Sequence, residues 1–146
     1  MIKATRLPVL GLFVLSIMAL AGCDDTTDIT IERFRPAAVI VRIDTQAVTI
    51  AEDSIARDTL VVEEDEENNI SFTFLNSAGD TIDAIPNDTT FAVVVQPASG
   101  ALTYTPLTNV SGVLVGNATG NTSFSVSLRR RNVTVFGPVV VPVLVE

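Results

Sequence analysis

The chain has 146 residues, 17 acidic and nine basic, for a net charge of −8, with one cysteine and no histidine. That length suits one domain rather than two. The single cysteine excludes an internal disulfide. The missing histidine removes the Ser-His-Asp and Cys-His nucleophile systems, the usual base near neutral pH and the commonest zinc ligand. An acidic surface repels phosphate, so nucleic acid is excluded as an expected partner.

The first 22 residues have a different character from the rest. Residues 1–7 carry Lys3 and Arg6, and residues 9–20 are apolar apart from Gly11 and Ser16. Ala19, Ala21 and Gly22 follow as small residues near a cut, completing the three-part layout of a secretory signal, read as an N-terminal helix. The apolar stretch of residues 7–21 contains Pro8 and is 15 residues long, short of the roughly 20 that a membrane span needs. Leu20-Ala21-Gly22-Cys23 resembles the lipobox of bacterial lipoproteins at all four positions. The resemblance implies cleavage between Gly22 and Cys23, diacylglycerol on the Cys23 sulfur and acylation of the new amino terminus. Each buried methylene contributes about 0.8 kcal/mol, so two or more acyl chains anchor a protein stably. The expected address is the bacterial cell envelope, with the membrane as partner through the lipid on Cys23. Asp24 and Asp25 come next; such residues resemble an inner-membrane retention signal in some bacteria and a surface-export signal in others, and both readings stay open.

Removing residues 1–22 leaves 124 residues with seven arginines, no lysine and all 17 acids, a net charge of −10. Residues 23–35 read as the lipidated cysteine, a tether and a first short strand over residues 29–35, ended by Pro36. Residues 36–146 read as the folded domain. Residues 38–44 alternate, with Val39, Val41 and Ile43 against Ile40, Arg42 and Asp44. Residues 47–51 continue that strand or pair with it, and residues 52–58 are a polar connection. Residues 59–63 form a short β-branched run. It leads into Glu63, Glu64, Asp65, Glu66 and Glu67, which are candidate ligands for calcium or another hard cation. Consecutive carboxylates on an extended chain point to opposite sides, and the spaced ligands and glycine of a calcium loop are missing. A solvated hairpin tip is therefore the preferred reading.

Residues 70–74 alternate again, with Ile70, Phe72 and Phe74 on one face, before a turn over residues 76–80 and another around Pro86. Residues 90–96 lack a polar face and read as a central strand. A turn at residues 97–100 precedes a strand closed by Pro106, then a short strand over residues 111–116 and a glycine-bearing turn. Phe124, Val126 and Leu128 alternate with serines. Arg129, Arg130 and Arg131 make a basic turn that could bind an anion but cannot aim three side chains at one ligand. Residues 133–136 and 139–145 end the sequence as two runs interrupted by Pro138 and Pro142. The prolines point to an edge, while the apolar composition of the second run points to a buried strand. Six Asn-x-Ser/Thr triplets, at Asn69, Asn87, Asn109, Asn117, Asn121 and Asn132, are read as turn composition.

About eight short runs at roughly 8–12-residue spacing, with no helical stripe, predict an all-β fold. The expected form is a single antiparallel β-sandwich of about seven to nine strands. Two stretches resemble bacterial Ig-like domains of the group-2, invasin/intimin-like kind. One is Thr59-Leu60-Val61-Val62 followed by Ile70-Ser71-Phe72-Thr73-Phe74-Leu75-Asn76-Ser77-Ala78-Gly79-Asp80. The other is the segment of residues 113–128. The usual tryptophan-containing segment is absent, and residues 91–96 stand in its place. The resemblance implies an Ig-like sandwich and a non-enzymatic interaction or adhesion module with a protein partner in the envelope. A glycan- or small-ligand-binding module is the alternative. No cofactor is implied.

Overall fold

The computed structural model describes residues 35–52 and 54–146. The signal segment, Cys23 and the first strand expected over residues 29–35 thus fall, apart from Arg35, outside the described residues. Nine strands follow in chain order: β1 (Ala38–Ile43), β2 (Gln46–Ala51), β3 (Leu60–Val62), β4 (Glu67–Leu75), β5 (Phe91–Pro97), β6 (Leu102–Thr108), β7 (Ser111–Gly116), β8 (Gly120–Arg130) and β9 (Val133–Val145). One turn of helix, Ala84–Asn87, lies between β4 and β5. The strands form two packed sheets, ordered β2-β1-β4-β7-β6 and β3-β9-β8-β5. This is the all-β sandwich that the spacing of the runs predicts.

Strict alternation places one face of each strand inside. Val39, Val41 and Ile43 from β1 meet Ile70, Phe72 and Phe74 from β4 on the inner face of the first sheet, all buried. Phe124, Val126 and Leu128 from β8 do the same for the second sheet, beside Val139, Val141, Val143 and Val145 from β9. Phe74 and Phe136 pack edge to face across the two sheets, with ring centroids 5.6 Å apart at 80°. Among the described residues no polar or charged side chain is buried in this core.

Four expectations are corrected. First, β3 pairs with β9 in parallel, so the second sheet is mixed rather than wholly antiparallel. The reason is that the chain does not turn back after Val62 but crosses to the other sheet. Second, the acidic run is therefore a crossover between sheets and not a hairpin tip. Third, β5 is an edge strand, paired only with β8. Its inner residues Val93 and Val95 are half-buried against the core, and its outer edge is shielded where the Val93 N–H donates to the Asn109 carbonyl.

Fourth, the last two runs are one strand, β9, paired with β8 along its length and with β3 at Val143–Val145; the second run is the buried strand that its composition indicates, despite Pro138 and Pro142. The Val140 carbonyl accepts from Ala56 N–H, and the Glu146 N–H donates to Val62 O while its carbonyl accepts from Glu64 N–H. Even-numbered positions of this stretch thus aim their backbone groups away from β8. Pro142 is one of them, and its nitrogen faces the chain between the Ile55 bridge and the start of β3 at Leu60, where no strand pairs. The ladder has no bond there for a proline to break. Similarly, β6 continues past Pro106, with a bulge before Thr108, because it is an edge strand.

One lateral seam between the sheets is closed by an amide side chain and the other by a backbone hydrogen bond. At the β2–β3 seam, Gln46 Nε2 donates to the Val61 carbonyl (2.8 Å) and Gln46 Oε1 accepts from the Val61 N–H (2.9 Å). That pair satisfies the outer edge of β3 as a neighbouring strand would. At the β5–β6 seam the Val93 N–H donates to the Asn109 carbonyl, and the Asn109 side chain ties the helical turn through the Ile85 and Asp88 carbonyls.

Candidate functional site

The strand directions define two ends. β1 begins at Ala38, opposite Ala51 of β2 and Leu75 of β4, so the chain enters the sandwich at the end where β4 finishes. The same end holds the Asn76–Asp80 turn, the helical turn and the β8–β9 hairpin. The opposite end holds the acidic crossover, the β1–β2 turn, the connection from β7 to β8 and Glu146.

At the acidic end, Glu63, Glu64, Asp65, Glu66 and Glu67 are all exposed. Their backbone is held while their side chains are not. Glu64 N–H donates to the Glu146 carbonyl and Asp65 N–H to the Gly116 carbonyl, each at 2.8 Å, and Asp65 takes a positive φ of 60°. Gly116 permits this close crossing: a Cβ there would lie 2.6 Å from Val145 Cγ1 and 3.2 Å from Glu63 O. Among the described residues no three acidic, cysteine or histidine side chains gather to hold a metal ion. The five carboxylates that the sequence nominates are distributed along the crossover.

At the entry end, the arginines take separate roles. Arg129 and Arg130 end β8, opposite Ala92 and Phe91 of β5, and Arg131 turns the hairpin with φ 55°. The Arg130 guanidinium lies 5.1 Å from the centroid of the Phe91 ring, and its Nη2 is 3.8 Å from Asp88 Oδ2. It does not pair with the acidic run, which is at the far end. Arg129 and Arg131 are exposed and make no ion pair among the described residues. Val133, the first residue of β9, is 65% exposed beside them.

Asp88 organises this corner. Its Oδ1 accepts from Thr90 N–H at 2.9 Å, and the next bonds run from Arg131 N–H to Thr90 O (2.7 Å) and from Phe91 N–H to Asp88 O (3.0 Å). The Thr90 N–H holds the Asp88 carboxyl below its ordinary value, with the charges of Arg130 and Arg131 adding to it; partial desolvation acts the other way. Thr90 Oγ1 is itself buried without a hydrogen-bond partner, so Thr90 meets the Asp88 carboxylate through its backbone N–H alone.

Among the described residues the surface has shallow hollows near these elements, two of which border the candidate residues. One, of about 240 Å³, lies between β4 and the helical turn, lined by Phe72, Phe74, Ile82, Ile85 and Val110. The other, of about 280 Å³, lies on the first sheet among Arg42, Asp44, Asn69, Leu107 and Ser111. Both fall below the usual range of small-molecule pockets, about 300–1,000 Å³.

Of the residues singled out from the sequence, Gly22, Cys23, Asp24 and Asp25 lie outside the described residues, and the acidic run and the arginines sit at opposite ends. Asn87, Asn109 and Asn117 do act in turns: their side-chain amides donate to the carbonyls of Asp83, Ile85 and Gly100. Sequence reasoning missed Asp88 and Gln46. Asp88 carries a signal, an aspartate two residues before the amide it accepts from, which is the Asx-turn pattern. Gln46 carries none, because its partner is reached only through the fold.

No protein-family model matches the chain, and no curated protein matches it. Among solved structures it is similar to the crystal structure of the S-layer protein SbsC domains 4 and 5, at 16% sequence identity and a TM-score of 0.42. The likeness covers 75% of this chain and 65% of that one, so the chain spans just under two thirds of its neighbour's length.

Proposed function

We propose that the chain is a lipid-anchored protein of the bacterial cell envelope, carrying one non-enzymatic Ig-like interaction module tethered to the membrane through Cys23. The observation that carries this reading is Leu20-Ala21-Gly22-Cys23 at the end of a basic tip and an apolar segment. The chemistry requires a thiol flanked by small residues at the membrane surface, and Cys23 is the one cysteine in the sequence.

The strand order supports the Ig-like part. Taking β1, β4, β5, β6, β7, β8 and β9 as strands A to G, the first sheet runs A-B-E-D and the second C-F-G, the arrangement of a seven-stranded Ig sandwich. β2 is then an addition outside strand A, and β3 an addition parallel to strand G. Fourteen residues separate Cys23 from Ala38, which limits the tether to about 50 Å at full extension. The module is thereby presented close to the membrane and offers its sheet edges and far end to a protein partner.

Radioactive palmitate incorporation, with and without globomycin, tests the anchor. The full chain takes up label and sediments with membranes, globomycin blocks its processing, and Cys23→Ala abolishes both labelling and sedimentation. Labelling that survives in Cys23→Ala overturns the reading.

A further inference from the structure

We propose that the β8–β9 hairpin is a contact surface for anionic phospholipid headgroups, and that it holds the sandwich with its acidic end away from the membrane. The proposal rests on the anchoring through Cys23 described above. Its first support is topological. The chain enters the sandwich at Ala38, at the same end as the hairpin, while residues 63–67 and Glu146 lie at the other. A tether of this length reaches about 50 Å at most, so an anchored domain stays near the headgroups, and the end at which the tether enters is the one held closest to them.

The second support is chemical. Arg129 and Arg131 are exposed, and Arg130 is fixed by Asp88 and the Phe91 ring, with its side chain still 57% exposed. The exposed valine at position 133 stands next to them. Guanidinium groups bond phosphate oxygens in a forked geometry, and a neighbouring aliphatic side chain suits the boundary between headgroup and acyl chain. The hairpin is held in shape before it binds, by Arg131 N–H to Thr90 O, so little ordering is left to be done.

The third support is the charge elsewhere. Glu52, Asp80 and Asp83 are also at the entry end, but they belong to the side of the first sheet, and Asp88 is matched by Arg130. The end is therefore divided, with the hairpin as its basic half. The crossover gathers five exposed carboxylates at the far end, so an anionic surface repels that end and attracts the hairpin. The same net negative charge keeps the domain from adhering without its anchor.

Placing a probe at each end tests this. The full chain is expressed in a bacterium and purified with its lipid, and its palmitate content is measured in the same preparation. Lipidation blocks the Cys23 thiol, so Asn132→Cys and, separately, Glu66→Cys give single labelling positions at the two ends. On vesicles of phosphatidylcholine with phosphatidylglycerol and a headgroup-spin-labelled lipid, the fluorophore at position 132 is quenched and the one at 66 is not. Replacing phosphatidylglycerol by phosphatidylcholine removes the difference. The pair Arg129→Ser and Arg131→Ser lowers the docked-to-undocked ratio by about 25-fold, since each arginine near an anionic surface contributes about fivefold. Equal quenching at the two ends, or quenching at position 132 that ignores both phosphatidylglycerol and the arginines, overturns the hairpin proposal while the anchor stands. A preparation without palmitate overturns both.

Discussion

At the end where the chain enters, connections are tied by side chains: Asn76 Oδ1 accepts from Ala78 and Asp80, Asp88 from Thr90, and Asn109 donates to Ile85 and Asp88. At the acidic end the crossover is tied by its backbone, through Glu64 to Glu146 and Asp65 to Gly116, and its carboxylates stay in water. The first arrangement depends on particular polar residues and the second on room for two backbones to approach. Substitutions of the crossover carboxylates are therefore tolerated where they keep that room, whereas the connections at the entry end are sensitive to the loss of a single polar side chain.

The largest effect is expected where the backbone-tied end loses its space. Gly116→Val places a branched side chain against Val145, which is buried and stiff at χ1, and against the Glu63 carbonyl. Overpacking of this kind costs about 1–3 kcal/mol, lowering the thermal midpoint by several degrees. Gly100→Ala is the control, because a Cβ there meets nothing within 4 Å. Equal midpoints for the two variants, measured by circular dichroism, would remove the close approach as the reason for glycine at 116.

The next effect belongs to the entry end. Asn109→Ala removes a donor to the Ile85 carbonyl at 2.8 Å and to the Asp88 carbonyl at 3.3 Å. Each carbonyl keeps one backbone donor, the Asp88 N–H at 3.4 Å and the Phe91 N–H at 3.0 Å, so the loss is that of the side-chain bonds, about 1 kcal/mol. Denaturant unfolding of Asn109→Ala should show that loss, whereas Glu64→Gln with Glu66→Gln at the acidic end should stay within about 0.5 kcal/mol of the parent. A neutral Asn109→Ala would mean that the helical turn is held by its backbone bonds alone.

These two ends also separate what local pattern reveals from what it does not. β1, β4 and β8 are legible because each buries one face, so Val39 to Ile43, Ile70 to Phe74 and Phe124 to Leu128 keep a period of two. β5 and β9 are apolar on both faces, and composition cannot say which neighbours a strand will have. Reading Pro142 as an edge marker assumes that a strand's amides are all in use, and here its nitrogen faces a gap in the ladder. The acidic run carries no local sign that Val62 and Ile70 belong to opposite sheets, because that is decided by burial of both side chains across a core. The arginines are visible in the sequence, but their division of labour depends on Asp88 and Phe91, which only the fold brings to Arg130.

The smallest effect, and the most selective, is electrostatic. The Asp88 carboxyl is held below its ordinary value of 3.8 in the folded chain, first by Thr90 N–H and then by the charges of Arg130 and Arg131. A depressed folded pKa means that the unfolded chain takes up the proton first as pH falls. The stabilisation is therefore fully present above the ordinary value and is lost as pH drops through the lower, folded one. Asp88→Asn keeps an oxygen for the Thr90 N–H but removes the charge facing Arg130, so its urea midpoint lies below that of the parent at pH 7. The gap should narrow below about pH 3.8 as the parent's carboxylate is itself neutralised. Comparing the two chains point by point cancels the other acids, all of which both retain. A gap that stays constant from pH 7 to pH 2 would assign the effect to packing at the corner rather than to charge, and would remove the electrostatic link between Asp88 and the arginine hairpin.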